Sequence, residues 1–311
     1  MCGKDTVSEL IQSRIEEDVI VNHKTQSVYK ITDPSGSNPR YAKIWTGPDV
    51  ELLEQFSSLE SDVGIPEYEL IRGNPSIQIM QPVSGSSLSK LLPKYLLPGI
   101  WSLRRSQLIN AFEDLGRKIG RLHAETVSEP LQLDPDSLAF DRYNAIRDGK
   151  IAEPLRDMLG NDIISELSRR LSRCYEFEVP VALVHGDLML FHVYVRNSEI
   201  TLIDLDAAKH VPVIEDHVRF ICALELLFSR LPYARSFQLD QLKFAFEQGY
   251  RQTGPEYELE TEIWETMRAV RHCSMLLYYH EKLPKQIKWK LRLLRAVDTP
   301  ILKKRISDLL E

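Results

Sequence analysis

An α+β fold, β-rich as far as Met80 and mainly helical beyond it, is what the sequence predicts, and three features predict it. Short strand-like segments separated by turn clusters fill the first part of the chain. Apolar residues at three- and four-residue steps dominate from Ser86 onward. Between two helical stretches, VALVHGDLMLFHVYVRNSEITLIDLD (Val181 to Asp206) inserts strand-like runs that end on acids.

Ser8 to Glu17 (SELIQSRIEE) reads as a short amphipathic helix. Asp18 to Val21, Ser27 to Thr32 and Arg40 to Trp45 read as strands, the last two separated by the turn cluster DPSGSNP. The loop His23-Lys24-Thr25-Gln26 contains no glycine, so a glycine-rich phosphate loop is absent. Lys43 interrupts the otherwise apolar strand Tyr41-Ala42-Lys43-Ile44-Trp45. Asp49 to Ser58 follows as a helix with Asp49 as its cap, and Glu51 and Glu54 lie on one face of it. Tyr68 to Ile71 and Ser76 to Met80 are two more strands. Gln81-Pro82-Val83-Ser84-Gly85 breaks the pattern and reads as a hinge between residues 1–80 and 81–311.

Ser86 to Leu92 starts a helix, and Leu96 to Leu103, with Pro98 and Gly99, reads as a loop. In Ser106 to Glu125 the residues Leu108, Ile109, Phe112, Leu115, Ile119 and Leu122 recur at helical steps, with Ser106 as the cap. Glu129 to Gly149 lacks periodicity; Asn161 to Tyr175 regains it. The strand Val181 to Val184 stops at His185-Gly186-Asp187. Val193 to Val195 and Ile200 to Ile203 flank the turn Arg196-Asn197-Ser198 as a hairpin that ends on Asp204-Leu205-Asp206. Asp216 stands as the cap of a helix from Val218 to Leu231. Phe237 to Gln252, Glu260 to Tyr279 and Pro284 to Val297 complete the helices, with a last helical turn or two from Pro300.

Two separated carboxylates at neighbouring strand ends suit phosphoryl transfer. One accepts or orients the proton of an attacking hydroxyl, and the other holds the cation that bridges nucleotide phosphates. The competing reading makes Asp187 and Asp204 plain turn formers.

The segment from His185 to Asp204 resembles the catalytic segment of the aminoglycoside phosphotransferase-like kinases, which carry His-Gly-Asp where protein kinases carry His-Arg-Asp. Leu115-Gly-Arg-Lys-Ile-Gly-Arg-Leu-His123 is similar to that family's long helix ending in Leu-His. The resemblance implies a bilobal protein-kinase-like fold, with a small β-rich N-lobe (1–80) over a larger helical C-lobe (81–311). It implies ATP-dependent phosphorylation of a hydroxyl on a small molecule, whether a sugar, an amino alcohol or a glycan-type acceptor. Asp187 is then the catalytic base, and His185 orders the catalytic loop. Lys43, steadied by Glu51 or Glu54, contacts the α- and β-phosphates. Asp204 holds magnesium, and Asp216 braces the catalytic loop. Asp206 points the same way as Asp204 in an extended chain, so the preference for Asp204 rests on the family pattern.

One position departs from that pattern. His192 stands five residues after Asp187, where the family carries a magnesium-binding asparagine. Magnesium takes oxygen ligands and imidazole suits softer metals, so His192 points to manganese, to a phosphate contact or to no ligation. The last branch leads to a nucleotide-binding regulatory protein that has lost turnover. A protein kinase is the weaker alternative, because only eleven residues separate Asp204 from Asp216 and no Ala-Pro-Glu occurs.

Composition fits this picture. With 43% hydrophobic and 27% charged residues the chain can build a sizeable core. Cys2, Cys174, Cys222 and Cys273 form no CxxC pair, which argues against zinc or a disulfide framework and for a reducing, cytoplasmic setting. No apolar run reaches the roughly 18 residues of a membrane span, and nothing points to nucleic acid. Residues from Glu281 carry nine Lys and Arg against four acids, in a chain whose net charge is −6. Lys288, Arg292 and Arg295 share a helical face there, which suits an anionic surface or acceptor and opposes a polycationic aminoglycoside. The run Glu256, Glu258, Glu260, Glu262 and Glu265 is the contrary signal.

Overall fold

The computed structural model describes residues 14–18, 28–32, 40–45, 51–52, 55, 59, 63–66, 68–71, 76–133, 145–147, 150–281 and 289–311. Glu54, the turn cluster DPSGSNP, the loop from His23 to Gln26, and the side chains of Lys288 and Arg292 lie outside them.

Strands β1 (Arg14–Asp18), β2 (Val28–Thr32), β3 (Arg40–Trp45), β4 (Tyr68–Ile71) and β5 (Ser76–Met80) form one antiparallel sheet in the order β1-β2-β3-β5-β4. β1 overlaps the end of the segment whose pattern suggested a helix, Ser8 to Glu17, and takes in Asp18, the start of the expected strand. It pairs Arg14 with Thr32 and Asp18 with Tyr29, so ladder hydrogen bonds to β2 override the local helical pattern. β3 lies at the centre of the sheet, and Ala42 and Lys43 on it are both buried.

The chain then turns helical through β6 (Ser86–Ser87), α1 (Leu88–Tyr95) and α2 (Ile100–Thr126). β7 (Ser128–Gln132), β8 (Ile146–Arg147) and β9 (Lys150–Ile151) precede α3 (Glu153–Leu159) and α4 (Asn161–Cys174). β10 (Glu178–Val184), β11 (Val193–Arg196), β12 (Glu199–Leu202) and β13 (Lys209–Pro212) follow. The last helices are α5 (Ile214–Arg230), α6 (Ser236–Thr253), α7 (Thr261–Glu281) and α8 (Trp289–Leu310). The fold is thus a bilobal, protein-kinase-like α+β fold, with a small sheet-rich part and a larger helical part.

α2 begins six residues before Ser106, because Pro98 and Gly99 (φ +83°) make only a tight turn and Trp101 is already buried. It lies so close to α6 that a Cβ on Gly116 would stand 2.0 Å from the Phe246 carbonyl oxygen. α8 runs through Pro300 as one helix where two segments were expected. β7 also went unsignalled: all five of its residues are exposed, and among the described residues it pairs with β10 alone. Val63, Leu122, Leu183 and Leu205 are buried together, with Ile65, Tyr68 and Leu70 of the sheet-rich part packed on them. That cluster fixes the sheet over the ends of β10 and β12, where the acids gather. Cys174, Cys222 and Cys273 are free and buried, and among the described residues no helix is long and apolar enough to cross a membrane.

Candidate active site

β10 is buried along almost its whole length and delivers His185-Gly186-Asp187 at its C-terminal end. Gly186 sits at φ +75°, and a Cβ there would lie 1.9 Å from the Ala207 carbonyl oxygen, so no other residue fits. Asp216 holds the turn. Its carboxylate accepts the His185 N–H at 2.7 Å and the Gly186 N–H at 2.9 Å. It therefore tethers this loop and does not cap its own helix, in whose first turn it lies. His123, with Nε2 3.3 Å from Asp216 and Nδ1 2.9 Å from the Tyr250 hydroxyl, completes a buried network. Burial opposes the Asp216 charge, but the bonds from His123 and the His185 amide prevail and hold its pKa below the ordinary carboxylate value.

His185 is fully buried, and burial lowers its pKa. Its Nε2–H donates to the Ile203 carbonyl at 3.0 Å, while Nδ1 accepts the Asp187 N–H at 3.3 Å. These partners assign the neutral Nε2–H tautomer. Its ring stacks on that of His192, with centroids 5.9 Å apart.

The β11–β12 hairpin turns through Asn197 and Ser198, both at positive φ, as a two-residue primed turn requires. At its open end the Ile203 N–H bonds the His192 carbonyl at 3.0 Å, so His192 and Asp204 come together. His192 Nδ1 donates to the Asp187 backbone carbonyl at 2.7 Å, and its Nε2 lies 3.2 Å from Asp204 Oδ2. Burial opposes charge on His192, yet the bond to Asp204 and the charges of Asp187 and Asp204 prevail and raise its pKa.

Lys43 reaches across from β3. Its Nζ is 2.6 Å from Asp204 Oδ1 and 2.6 Å from Asp206 Oδ1. Burial would raise the pKa of Asp204, but His192 and Lys43 outweigh it and hold the carboxyl well below the usual range. Asp206 is raised, by burial against the pull of Lys43 and with the repulsion of Asp204 added. The structure thus gathers Lys43, His185, Asp187, His192, Asp204 and Asp206. Glu51 is exposed whereas Lys43 is only 6% exposed, the carboxylates that meet Lys43 are Asp204 and Asp206, and Glu54 lies outside the described residues.

Two members went unnoticed in the sequence. Arg219 Nη1 donates to Asp187 Oδ1 at 3.0 Å, and its Nη2 donates to Glu215 Oε1 at 3.2 Å. Glu215 also pairs with Lys209 at 3.1 Å. Glu215 and Arg219 stand four apart on a helix that starts beside the site, and that spacing was the available signal.

Two carboxylates at adjoining loop ends, one under an arginine and one under a lysine, thus meet on a kinase-like frame. The phosphotransferase enzyme family matches residues 78–265, more than half of the chain, and the chain belongs to that family. Solved structures share its fold. A glucosamine kinase in complex with glucosamine, ADP and inorganic phosphate is 13% identical, with a TM-score of 0.67 over 100% of this chain and 84% of that one. Amicoumacin kinase, solved with AMP-PNP and Ca2+, is 15% identical, with a TM-score of 0.57 over 96% of this chain and 88% of that one. A Plasmodium vivax ethanolamine kinase is 14% identical, with a TM-score of 0.53 over 96% of this chain and 85% of that one. No curated protein matches the chain.

Proposed function

We propose that this chain transfers the terminal phosphoryl group of ATP to a hydroxyl of a small molecule: a sugar, an amino alcohol or a glycan-type acceptor other than an aminoglycoside. The observation that carries this reading is the meeting of Lys43 with Asp204 at 2.6 Å, a contact from the small sheet to the hairpin that follows Asp187. We place the lobe boundary between Met80 and Gln81, and the nucleotide between the lobes. The kinases of like fold solved with ADP or AMP-PNP support the use of a nucleotide.

Asp187 accepts the proton of the acceptor hydroxyl, and Arg219 orients its carboxylate. His185 holds the loop through Ile203, and Lys43 positions the α- and β-phosphates. For a divalent cation the donors fit in part. Asp204 and Asp206 aim hard carboxylate oxygens at one point, the Lys43 ammonium, as magnesium would require. His192 donates from Nδ1 and turns Nε2 to a carboxylate, which suits a charge-bearing hydrogen-bond donor better than a ligand. Asp204 would hold the ion with Asp206 in support, and manganese is the alternative that an imidazole favours. Magnesium, when bound, neutralises charge on the transferring phosphates.

The second reading is a nucleotide-binding regulatory protein without turnover. The His192 bond to Asp204 favours it, because that carboxylate oxygen is occupied by an imidazole where the family carries asparagine.

A phosphoryl-transfer screen over sugars, amino alcohols and aminoglycosides, with products identified by mass, tests the proposal. A phosphorylated product that requires Asp187 supports it. Nucleotide binding with no transfer to any acceptor favours the regulatory reading, and no nucleotide binding overturns both.

A further inference from the structure

A cavity of about 340 Å³ opens between the later turns of α5, the start of α6, α7 and α8, and it shares no residue with the site above. Its wall carries Arg235, Lys243, Arg268 and Arg305 with the hydroxyl residues Ser229 and Ser236, against two acids, Glu225 and Asp240. Glu225 is buried, and its Oε1 takes both Lys243, at 3.0 Å, and Arg268. Among the described residues the partner of Arg305 there is neutral: it donates to Ser229 Oγ from Nη2 at 3.1 Å and from Nε at 3.4 Å. Arg268 Nε is buried without a hydrogen-bond acceptor. Ser236 opens an 18-residue helix, so the positive end of its dipole adds to the same region.

Four cations against two acids leave a surplus that a dianion balances. We propose that this cavity binds a phosphate-type dianion, and specifically a phosphomonoester. Guanidinium groups match phosphate oxygens bidentately, and hydroxyls complete such a shell. The volume is at the lower end of small-molecule sites, roughly 300–1,000 Å³, which leaves room for an organic group on the phosphate. A metal is the poorer occupant. Cys222, Glu225 and His272 bring their ligand atoms within 4.8 Å of one another, but the two cations already on Glu225 oppose a third.

Calorimetry and thermal shift with glycerol 3-phosphate and inorganic phosphate, at ionic strength held constant with potassium chloride, test this. Saturable binding is expected, tighter for the monoester. Arg235→Ala and Arg305→Ala should each weaken it at least about tenfold, the scale of one charge-assisted hydrogen bond. Arg235 is exposed, so its removal separates binding from folding. Lys43→Ala should leave the binding in place. Equal affinity for the two probes would assign the cavity to phosphate itself and keep the site. Absence of saturable binding, or binding lost in Lys43→Ala and kept in Arg235→Ala, would overturn the proposal.

Discussion

Arg219 and Asp187 are joined by a hydrogen bond of 3.0 Å from Nη1 to Oδ1, with the arginine 1% exposed and the aspartate 33% exposed. The buried guanidinium fixes one carboxylate oxygen, and the other, Oδ2, stands 3.6 Å from His192 Nδ1. In the proposed mechanism, a base held in this way needs no reorganisation when a hydroxyl arrives. Asp187→Asn keeps an oxygen for Arg219 and removes the basic function. It should lower phosphoryl transfer by about 10²-fold or more, the scale of losing a general base, while ATP affinity and melting temperature stay near wild type. Wild-type turnover in this variant would remove Asp187 from the mechanism.

Asp204 and Asp206 differ in their surroundings although both meet Lys43. Asp204 is held ionised by His192 and Lys43, while Asp206 is raised by burial and by its neighbour. Asparagine tolerates the left-handed backbone of residue 204 (φ +67°), so Asp204→Asn tests the carboxylate alone. It should abolish magnesium-dependent ATP binding in calorimetry, whereas Asp206→Asn should weaken it by about tenfold or less, as for a supporting group. The reverse order of severity would transfer the ligand role to Asp206.

His192→Asn retains a donor for the Asp187 carbonyl and replaces an imidazole with an oxygen-bearing group. Activity with magnesium should be maintained or rise, because the hard cation gains an oxygen. A collapse of activity, together with a manganese optimum in the wild type, would reveal a specialised histidine site.

Stability should fall as pH drops below 6.5, where the unfolded chain begins to protonate histidines that the native fold keeps neutral. His217 is buried, and burial pushes its pKa down from 6.5 to about 3, with the neighbouring His123 adding to the shift. His185 and His272 are lowered in the same direction by burial. Between the two values the unfolded chain binds more protons than the native one, so stability rises with pH. The contribution of His217 is complete above 6.5 and disappears as pH falls toward 3. Each such histidine adds a slope approaching about 1.4 kcal/mol per pH unit. Denaturant titrations of His217→Gln should show a shallower pH dependence; an unchanged slope would mean that His217 is not the neutral buried group.

The site was legible where chemistry and local sequence coincide. Gly186 between His185 and Asp187, the hairpin after them and the acids at its end are all close in the chain, and the structure keeps them together. The bond from Arg219 crosses 32 residues and the Lys43 contact 161, and no local pattern encodes either distance. β1 and β7 were missed for the same reason: a strand is stabilised by its partner, and β7 has no buried face to betray it. The long α2 was read from its apolar stripe but started too late, since a proline and a glycine close together looked like a longer break than one turn.

The acceptor should not be an aminoglycoside. Such a polycation needs a surplus of carboxylates, and the run from Glu256 to Glu265 was the one place in the later helices that could supply it. The structure finds three of those five acids engaged. Glu260 pairs with Arg173 at 2.8 Å, Glu262 with Arg169 at 2.7 Å and also with Arg173, and Glu265 with Arg170 at 3.7 Å. The arginines of α4 therefore compensate the start of α7, and a bound polycation would have to displace them. The cavity beside α7 has the opposite sign, with Arg235, Lys243, Arg268 and Arg305 in its wall. Neither these paired acids nor that basic cavity offers the carboxylate surplus a polycation needs. Kanamycin should show no turnover at micromolar concentrations, while a neutral or anionic sugar is phosphorylated. Saturable phosphorylation of kanamycin with a micromolar KM would show that carboxylates elsewhere in the chain govern acceptor choice.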